Sequence, residues 1–223
     1  MWSLIERGGV WVMLPLVACS ITSLGFVIER ATYWIRYARA RDRRLVEEFL
    51  ALADAGDFAE AAKRAHGSED VVVKLLHCGL VHRNYDLNSA LEMAASSEVE
   101  RMERFLPVLD TIITLSPLLG ILGTVVGIIE SFGLLSASAT VQDPQAVTGG
   151  IAQALVTTAT GLVIAIATLI PYNYFRARAD RVRHHMEDAA SRLEIVFQKH
   201  KARGEGDASL DEGKPVPEGT NVA

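Results

Sequence analysis

Two uncharged stretches of this chain carry an uneven load of hydroxyl and amide side chains. Residues 116–127 read Ser-Pro-Leu-Leu-Gly-Ile-Leu-Gly-Thr-Val-Val-Gly, with Thr124 the hydroxyl near the end. Residues 149–161 read Gly-Gly-Ile-Ala-Gln-Ala-Leu-Val-Thr-Thr-Ala-Thr-Gly and contain Gln153, Thr157, Thr158 and Thr160. A threonine hydroxyl both donates and accepts a hydrogen bond, so rings of them, closed by oligomerisation, would line a mildly polar lumen. The competing use is structural, because Thr also packs between membrane helices and bonds its own backbone. Neither stretch holds a carboxylate. Asp110 and Glu130 stand twenty residues apart, about 30 Å along a helix, and mark the two ends of the first stretch. A proton path through a bilayer needs a titratable group within it. A proton channel built on these residues would therefore take its acid from a partner.

Small residues share faces with these hydroxyls. Gly120, Gly123 and Gly127 are three and four residues apart, and Ala154, Thr158, Gly161 and Ala165 repeat on one face of the second stretch. Such spacing lets backbones approach closely in lipid. Gly120, Gly123, Gly127, Gly161 and Ala165 are accordingly expected to pack helices at a contact between subunits. If the outer membrane boundary falls near Phe132 and Gly150, Thr124 and Thr158 each lie eight residues, about 12 Å, below it.

Other reactive side chains form no recognisable centre. His66, His77, His82, His184, His185 and His200 have no Cys, Ser or carboxylate at a catalytic or metal-ligand spacing. Cys19 and Cys78 have no pairing pattern, and Cys19 sits in an apolar run. Leu16-Val17-Ala18-Cys19 looks like a lipoprotein cleavage box, but Glu6 cancels Arg7 and the apolar run continues to Ile28, against a signal peptide. No catalytic residue, metal site or cofactor is expected.

The elements that must hold these residues are long helices. Of 223 residues, 50% are apolar and 22% charged, with a mean hydropathy of +0.22. Charge is absent from residues 8–28, 111–129 and 144–175, runs of 21, 19 and 32 residues. About 20 helical residues cross a bilayer core. Three such runs exclude an ordinary soluble enzyme, and a net charge of −5 excludes a nucleic-acid binder with a basic face. Arginines follow the first run (Arg30, Arg36, Arg39, Arg41, Arg43, Arg44) and the third (Arg176, Arg178, Arg181, Arg183), whereas 131–143 has neither Lys nor Arg. Positive residues stay inside, which puts the N-terminus outside and the C-terminus in the cytoplasm. Trp2 and Trp11 at the outer end, and Tyr33, Trp34, Tyr37, Tyr172, Tyr174 and Phe175 at the inner ends, fit interfacial aromatic belts.

The expected fold is an all-α membrane protein with three transmembrane helices, the second and third extending into a helical cytoplasmic region. Residues 1–9 are an outer N-terminus, 10–30 the first span, 31–105 a helical cytoplasmic domain and 106–132 the second span. Residues 133–147 form an outer loop, within which Asp143-Pro144 caps the outer end of the third span. The third span is 148–175, followed by a cytoplasmic extension at 176–203 and an acidic tail at 204–223. Within the cytoplasmic domain the pattern predicts helices from Arg41 to Ala53, Phe58 to His66 and Val71 to Arg83, with Asp57 an N-cap and a turn at Asn84-Tyr85-Asp86. From Leu87 the helical pattern runs straight towards the second span. The tail has Glu205, Asp207, Asp211, Glu212 and Glu218 against Lys214 and almost no large apolar residue, so it is expected to be disordered.

The two uncharged stretches resemble the span signatures of the MotA/TolQ/ExbB family of proton-channel subunits. Residues 116–127 are similar to the second-span motif, and Gly150 to Leu162 with Pro171-Tyr172-Asn173 to the third. The three-span layout is similar to the ExbB/TolQ branch. The resemblance implies a bacterial inner-membrane protein with a periplasmic N-terminus. It implies a homo-pentamer around an ExbD- or TolR-like single-span protein whose membrane aspartate carries the proton, and a link to a TonB-like protein. The family's aspartate-facing threonines match Thr124 and Thr158, with Thr157 and Gln153 beside them on the expected proton pathway. Two positions depart: Gln153 stands where ExbB and TolQ commonly have Glu, and Ala167 where they commonly have Pro, with Pro171 four residues later. The implied function is proton-driven energising of outer-membrane transport. A TolQ-like role in envelope maintenance and a non-conducting oligomeric scaffold are the alternatives.

Overall fold

The computed structural model describes residues 10–137 and 144–211. The expected N-terminal segment 1–9, part of the expected outer loop with Asp143, and the tail beyond 211 lie outside the described residues. Among those described there are seven helices and no strand: α1 (Val10–Ala40), α2 (Arg43–Asp54), α3 (Phe58–Ala65), α4 (Val71–Val81), α5 (Arg83–Glu103), α6 (Leu106–Ala137) and α7 (Pro144–Asp211). Three stretches, Trp11–Ala40, Asp86–Gly133 and Thr148–Arg203, contain helix long and apolar enough to cross a membrane. Helix α7 starts on Pro144, whose missing N–H costs nothing in a first turn. It ends at Asp211 and so covers the first eight residues of the segment expected to be disordered.

The chain divides into two compact units, the first made of residues 1–36 and 101–180 and the second of 37–100 and 181–223. In the first, α1, α6 and the early part of α7 bury Leu16, Leu109, Ile112, Ala154 and Ala165. Their other faces carry bare apolar side chains: Trp11 is 92% exposed and Ile170 69%. A continuous apolar surface of this kind is stable in lipid, not in water.

Arg30 organises the end of this unit where α5 meets α6. It is 2% exposed, yet its guanidinium is fully engaged. It donates to Glu29 at 2.5 and 2.7 Å and to the carbonyls of Arg101 and Met102 at 2.9 and 3.2 Å. It also lies 4.7 Å over the Tyr33 ring and 5.5 Å from that of Phe105. Those carbonyls belong to the last turn of α5, where a cation offsets the unpaired acceptors and the helix dipole. Just beyond, Phe105 adopts φ +70°, and Pro107 opens the first turn of α6. The helical run from Leu87 into the second span, expected to continue without interruption, therefore breaks here. Pro107 was the signal, since proline favours a first helical turn.

Three of the aromatics expected at the inner interface are packed inside the unit. Trp34, Tyr172 and Phe175 are 3%, 8% and 4% exposed, and Arg178 stacks 5.3 Å over Trp34. Periodicity does not say which aromatic faces inward, whereas Tyr174, at 51% exposed, does point out.

The second unit is a helical cluster held by aspartate caps. Asp42 accepts from the Arg44 and Leu45 amides, both at 3.1 Å, and Asp57 caps α3 through Glu60 as expected. Asp70, 3% exposed, does more. One oxygen accepts from Val72 and Val73 at 2.7 and 3.3 Å, and the other accepts from the Asp42 amide at 2.7 Å. It thereby joins the start of α4 to the start of α2. The expected turn before Leu87 is a kink within α5: Asp86 has φ −162° and ψ 105°, and caps the helix that follows. Phe49, Leu76, Leu80, Met186 and Leu193 fill the core.

The Ser89 hydroxyl, 2.5 Å from Asp86, is the main cause holding that carboxyl below its usual range, helped by the Ser89 and Asn88 amides. A lowered folded value means the cap is charged and intact at neutral pH and is lost only as acid passes that value. Replacing Ser89 with Ala should let Asp86 protonate at higher pH, and amide exchange at Asn88 should rise earlier on acidification. Asp70→Ala should destabilise by about 2 kcal/mol, read from thermal unfolding in detergent, because it orphans the buried amides of Val72 and Val73 and releases that of Asp42.

Candidate functional site

The threonine-bearing stretches lie on α6 and α7 and face each other along one antiparallel seam. A Cβ added to Gly120 would meet Thr158 Cα at 2.9 Å, and one on Gly123 would meet Thr157 Oγ1 at 2.7 Å. One on Gly127 would meet Ala154 Cβ at 2.9 Å, one on Gly150 would strike Ser131, and one on Gly161 would strike the Ser116 carbonyl oxygen. Rising numbers on α6 thus meet falling numbers on α7. The small residues are where they are because this seam has no room for a side chain.

These glycines were expected at a contact between subunits. Gly120, Gly123, Gly127 and Gly161 instead pack within one chain, and Ala165, 7% exposed, is buried on the same face of α7. Spacing identifies a face that packs closely but not the helix it meets.

The hydroxyls divide by role. Thr158 Oγ1 donates across the seam to the Gly120 carbonyl at 2.8 Å. Thr157 is fully buried and donates to Ala154 O at 2.5 Å, so its side chain belongs to the packing rather than to an open surface. Thr124 donates to Ile121 O at 2.6 Å and is partly exposed. Thr158 is level with Gly120, so along this antiparallel seam Thr124 lies one turn further on α6, about 6 Å from the level of Thr158, and the equal depths counted from the sequence do not hold in this register. Gln153 is half-buried one turn nearer the start of α7. Ser116, which the sequence did not single out, is fully buried and its hydroxyl has no partner among the described residues. Its only sequence signal was its place before Pro117. Among the described residues no cluster of His, Cys, Asp or Glu could hold a metal ion.

Three apolar helices joined by a tight seam of Gly and Thr define a multi-pass helical membrane protein. The model of the MotA/TolQ/ExbB proton channel family matches residues 67–188. A biopolymer transport protein of Synechocystis, ExbB-like 3, is 35% identical over 196 residues, covering 86% of this chain and 92% of that protein. The TolQ protein of the Tol-Pal system in Pseudomonas aeruginosa is 33% identical over 199 residues, covering 81% and 84%. The biopolymer transport protein ExbB of Salmonella typhimurium is 27% identical over 219 residues, covering 87% and 85%. The chain belongs to the MotA/TolQ/ExbB proton channel family, in its ExbB/TolQ branch.

Gly161→Val should pry α6 from α7. The expected outcome is loss of about 1–3 kcal/mol of stability in detergent, through overpacking against backbone that cannot yield. Gly133, which has nothing within 4 Å of an added Cβ, should accept Ala without loss.

Proposed function

We propose that this chain is the oligomeric inner-membrane subunit of a proton-driven motor, with its N-terminus in the periplasm and its C-terminus in the cytoplasm. Five copies surround an ExbD- or TolR-like single-span protein whose membrane aspartate carries the proton. The motor works through that partner, and through a TonB-like protein, on outer-membrane transport. The observation that carries this reading is a pair of threonines, Thr124 and Thr158, within one turn of each other along the seam of spans that hold no acidic or basic side chain from 111 to 129 and from 144 to 175. Hydroxyls can stabilise a protonated or charged carboxyl brought by a partner but cannot themselves bind and release the proton.

In this reading Thr124, Thr158 and Gln153 face the partner helix, while Thr157 holds the seam behind them. With Gln in place of the common Glu, position 153 contributes a hydrogen bond and not a charge. Each proton moving inward through 100 mV releases about 2.3 kcal/mol, so a mechanical stroke draws on several. The 33% identity to a TolQ protein favours a second reading equally, in which the same motor serves envelope maintenance.

Thr158→Val tests the conducting role. The subunit mass of the membrane complex should stay unchanged while proton flux with the partner in vesicles falls at least tenfold, roughly the loss of one charge-assisted hydrogen bond. Thr158→Ser should restore most of it. Unchanged flux in the Val variant would leave the non-conducting scaffold as the better description.

A further inference from the structure

In the second unit, open grooves flank α7 on both sides. One, of about 250 Å³, is lined by Arg41 and Arg43 with His185, Asp188 and Arg192. The other, of about 290 Å³, lies between α5 and α7 and has Leu91, Met186 and Ala190 in its floor and Glu92, Glu187 and Glu194 at its edge. At roughly 100° per helical residue, positions 185, 188 and 192 fall on one side of α7 and 187, 190 and 194 on the opposite side. The buried Met186, Ala189 and Leu193 point into the core between them.

The two grooves differ in charge as well as in direction: the first mixes Arg41, Arg43 and Arg192 with Glu47, Asp70 and Asp188, whereas the charged side chains lining the second are all acidic. In the first, Arg192 pairs with Asp188 at 3.7 Å, and Asp70 is taken up by backbone amides. Arg41 and Arg43 are exposed, with Arg39 and Arg44 exposed beside them, and none of the four has an ion pair among the described residues. In the second, no cation lines the groove. Glu194 accepts from Asn88 and Gln198 at 2.9 and 3.3 Å, while Glu92 and Glu187 are exposed and have no ion pair among the described residues. Exposed Met93 extends the apolar surface next to Glu92.

We propose that the acidic groove between α5 and α7 takes the arginine corner, Arg39 to Arg44, of a second copy of this chain. The two patches lie on opposite sides of α7 and so cannot meet within one chain, but they can meet between copies. A contact between two different faces of identical subunits is head-to-tail, and it closes into a ring when its rotation closes. Guanidinium groups of Arg41 and Arg43 meet the Glu92 and Glu187 carboxylates in fork geometry, while the arginine stems cover the Leu91 and Ala190 floor. The inference rests on the oligomer proposed above and adds the residues that make its cytoplasmic contact.

The test uses the full chain in its native membrane, with Cys19→Ala and Cys78→Ser as background, since those are the only cysteines. Arg43→Cys and Glu187→Cys are introduced in one chain and treated with a short bismaleimide linker. A ladder of covalent multimers is expected from the double variant, dimers alone from a mixture of the two single variants, and no product from either single variant. Separately, Arg41→Glu with Arg43→Glu should lower the assembled fraction at least about fivefold, and adding Glu92→Arg with Glu187→Arg should recover it. Helical content of Glu92→Gln with Glu187→Gln serves as the folding control and should be unchanged.

Absence of linking in the double variant overturns the proposal, as does a charge reversal without effect on assembly. It is overturned equally if reversing Glu92 and Glu187 only releases a different, single-span protein while the subunit mass stays constant. These measurements need no proton gradient. A ring that links but does not conduct keeps this contact and removes the motor function, whereas a conducting ring that does not link removes this contact alone.

Discussion

Where Gly161 meets the carbonyl of Ser116, no side chain stands between α6 and α7, and the register of the whole seam follows from that contact. In lipid there is no hydrophobic drive to bring two apolar helices together, so close backbone approach and a few interhelical hydrogen bonds must suffice. Both are present here: five small residues in step, and the Thr158 hydroxyl reaching the Gly120 carbonyl at 2.8 Å. A slip of one residue would drive Thr or Leu side chains into backbone. The same register seats Thr158 at Gly120 and leaves Thr124 one turn further along α6, so packing and candidate chemistry are set together.

The end of this unit where α5 meets α6 solves a different problem. A long helix leading into a membrane span leaves carbonyls unpaired wherever it bends, and a bend occurs at Phe105. Arg30 answers it from α1 by donating to two carbonyls of the last α5 turn. A buried arginine is costly to desolvate, and it persists because Glu29, two carbonyls and two rings all engage it. An arginine that counts as a topology marker in the sequence is thus also a structural clamp, though nothing about its position in the chain indicates the second role.

In the second unit local chemistry was largely legible. Asp57 at an N-cap, the break before Leu87 and the helices around 45–52, 58–65 and 71–81 follow from propensity, capping and spacing, which act within a few residues. The double duty of Asp70 was not legible. Its bonds to Val72 and Val73 are local, but that to Asp42 spans 28 residues and exists only once α2 and α4 are packed.

What the residues determined alone was the class of the protein: three charge-free runs matched to a bilayer, two signature stretches, and the lack of any carboxylate within the spans. These are properties of composition and short spacing, and they survive any arrangement of the helices. The partner of each face was decided only in three dimensions. A glycine stripe states that something comes close, and the tertiary structure supplies α7 of the same chain where a neighbouring subunit was expected. The same holds for Thr157, which periodicity groups with Thr158 but which folding turns into the seam. The reason is that a 3.6-residue period encodes direction around one helix axis, whereas contact also depends on where the second axis lies.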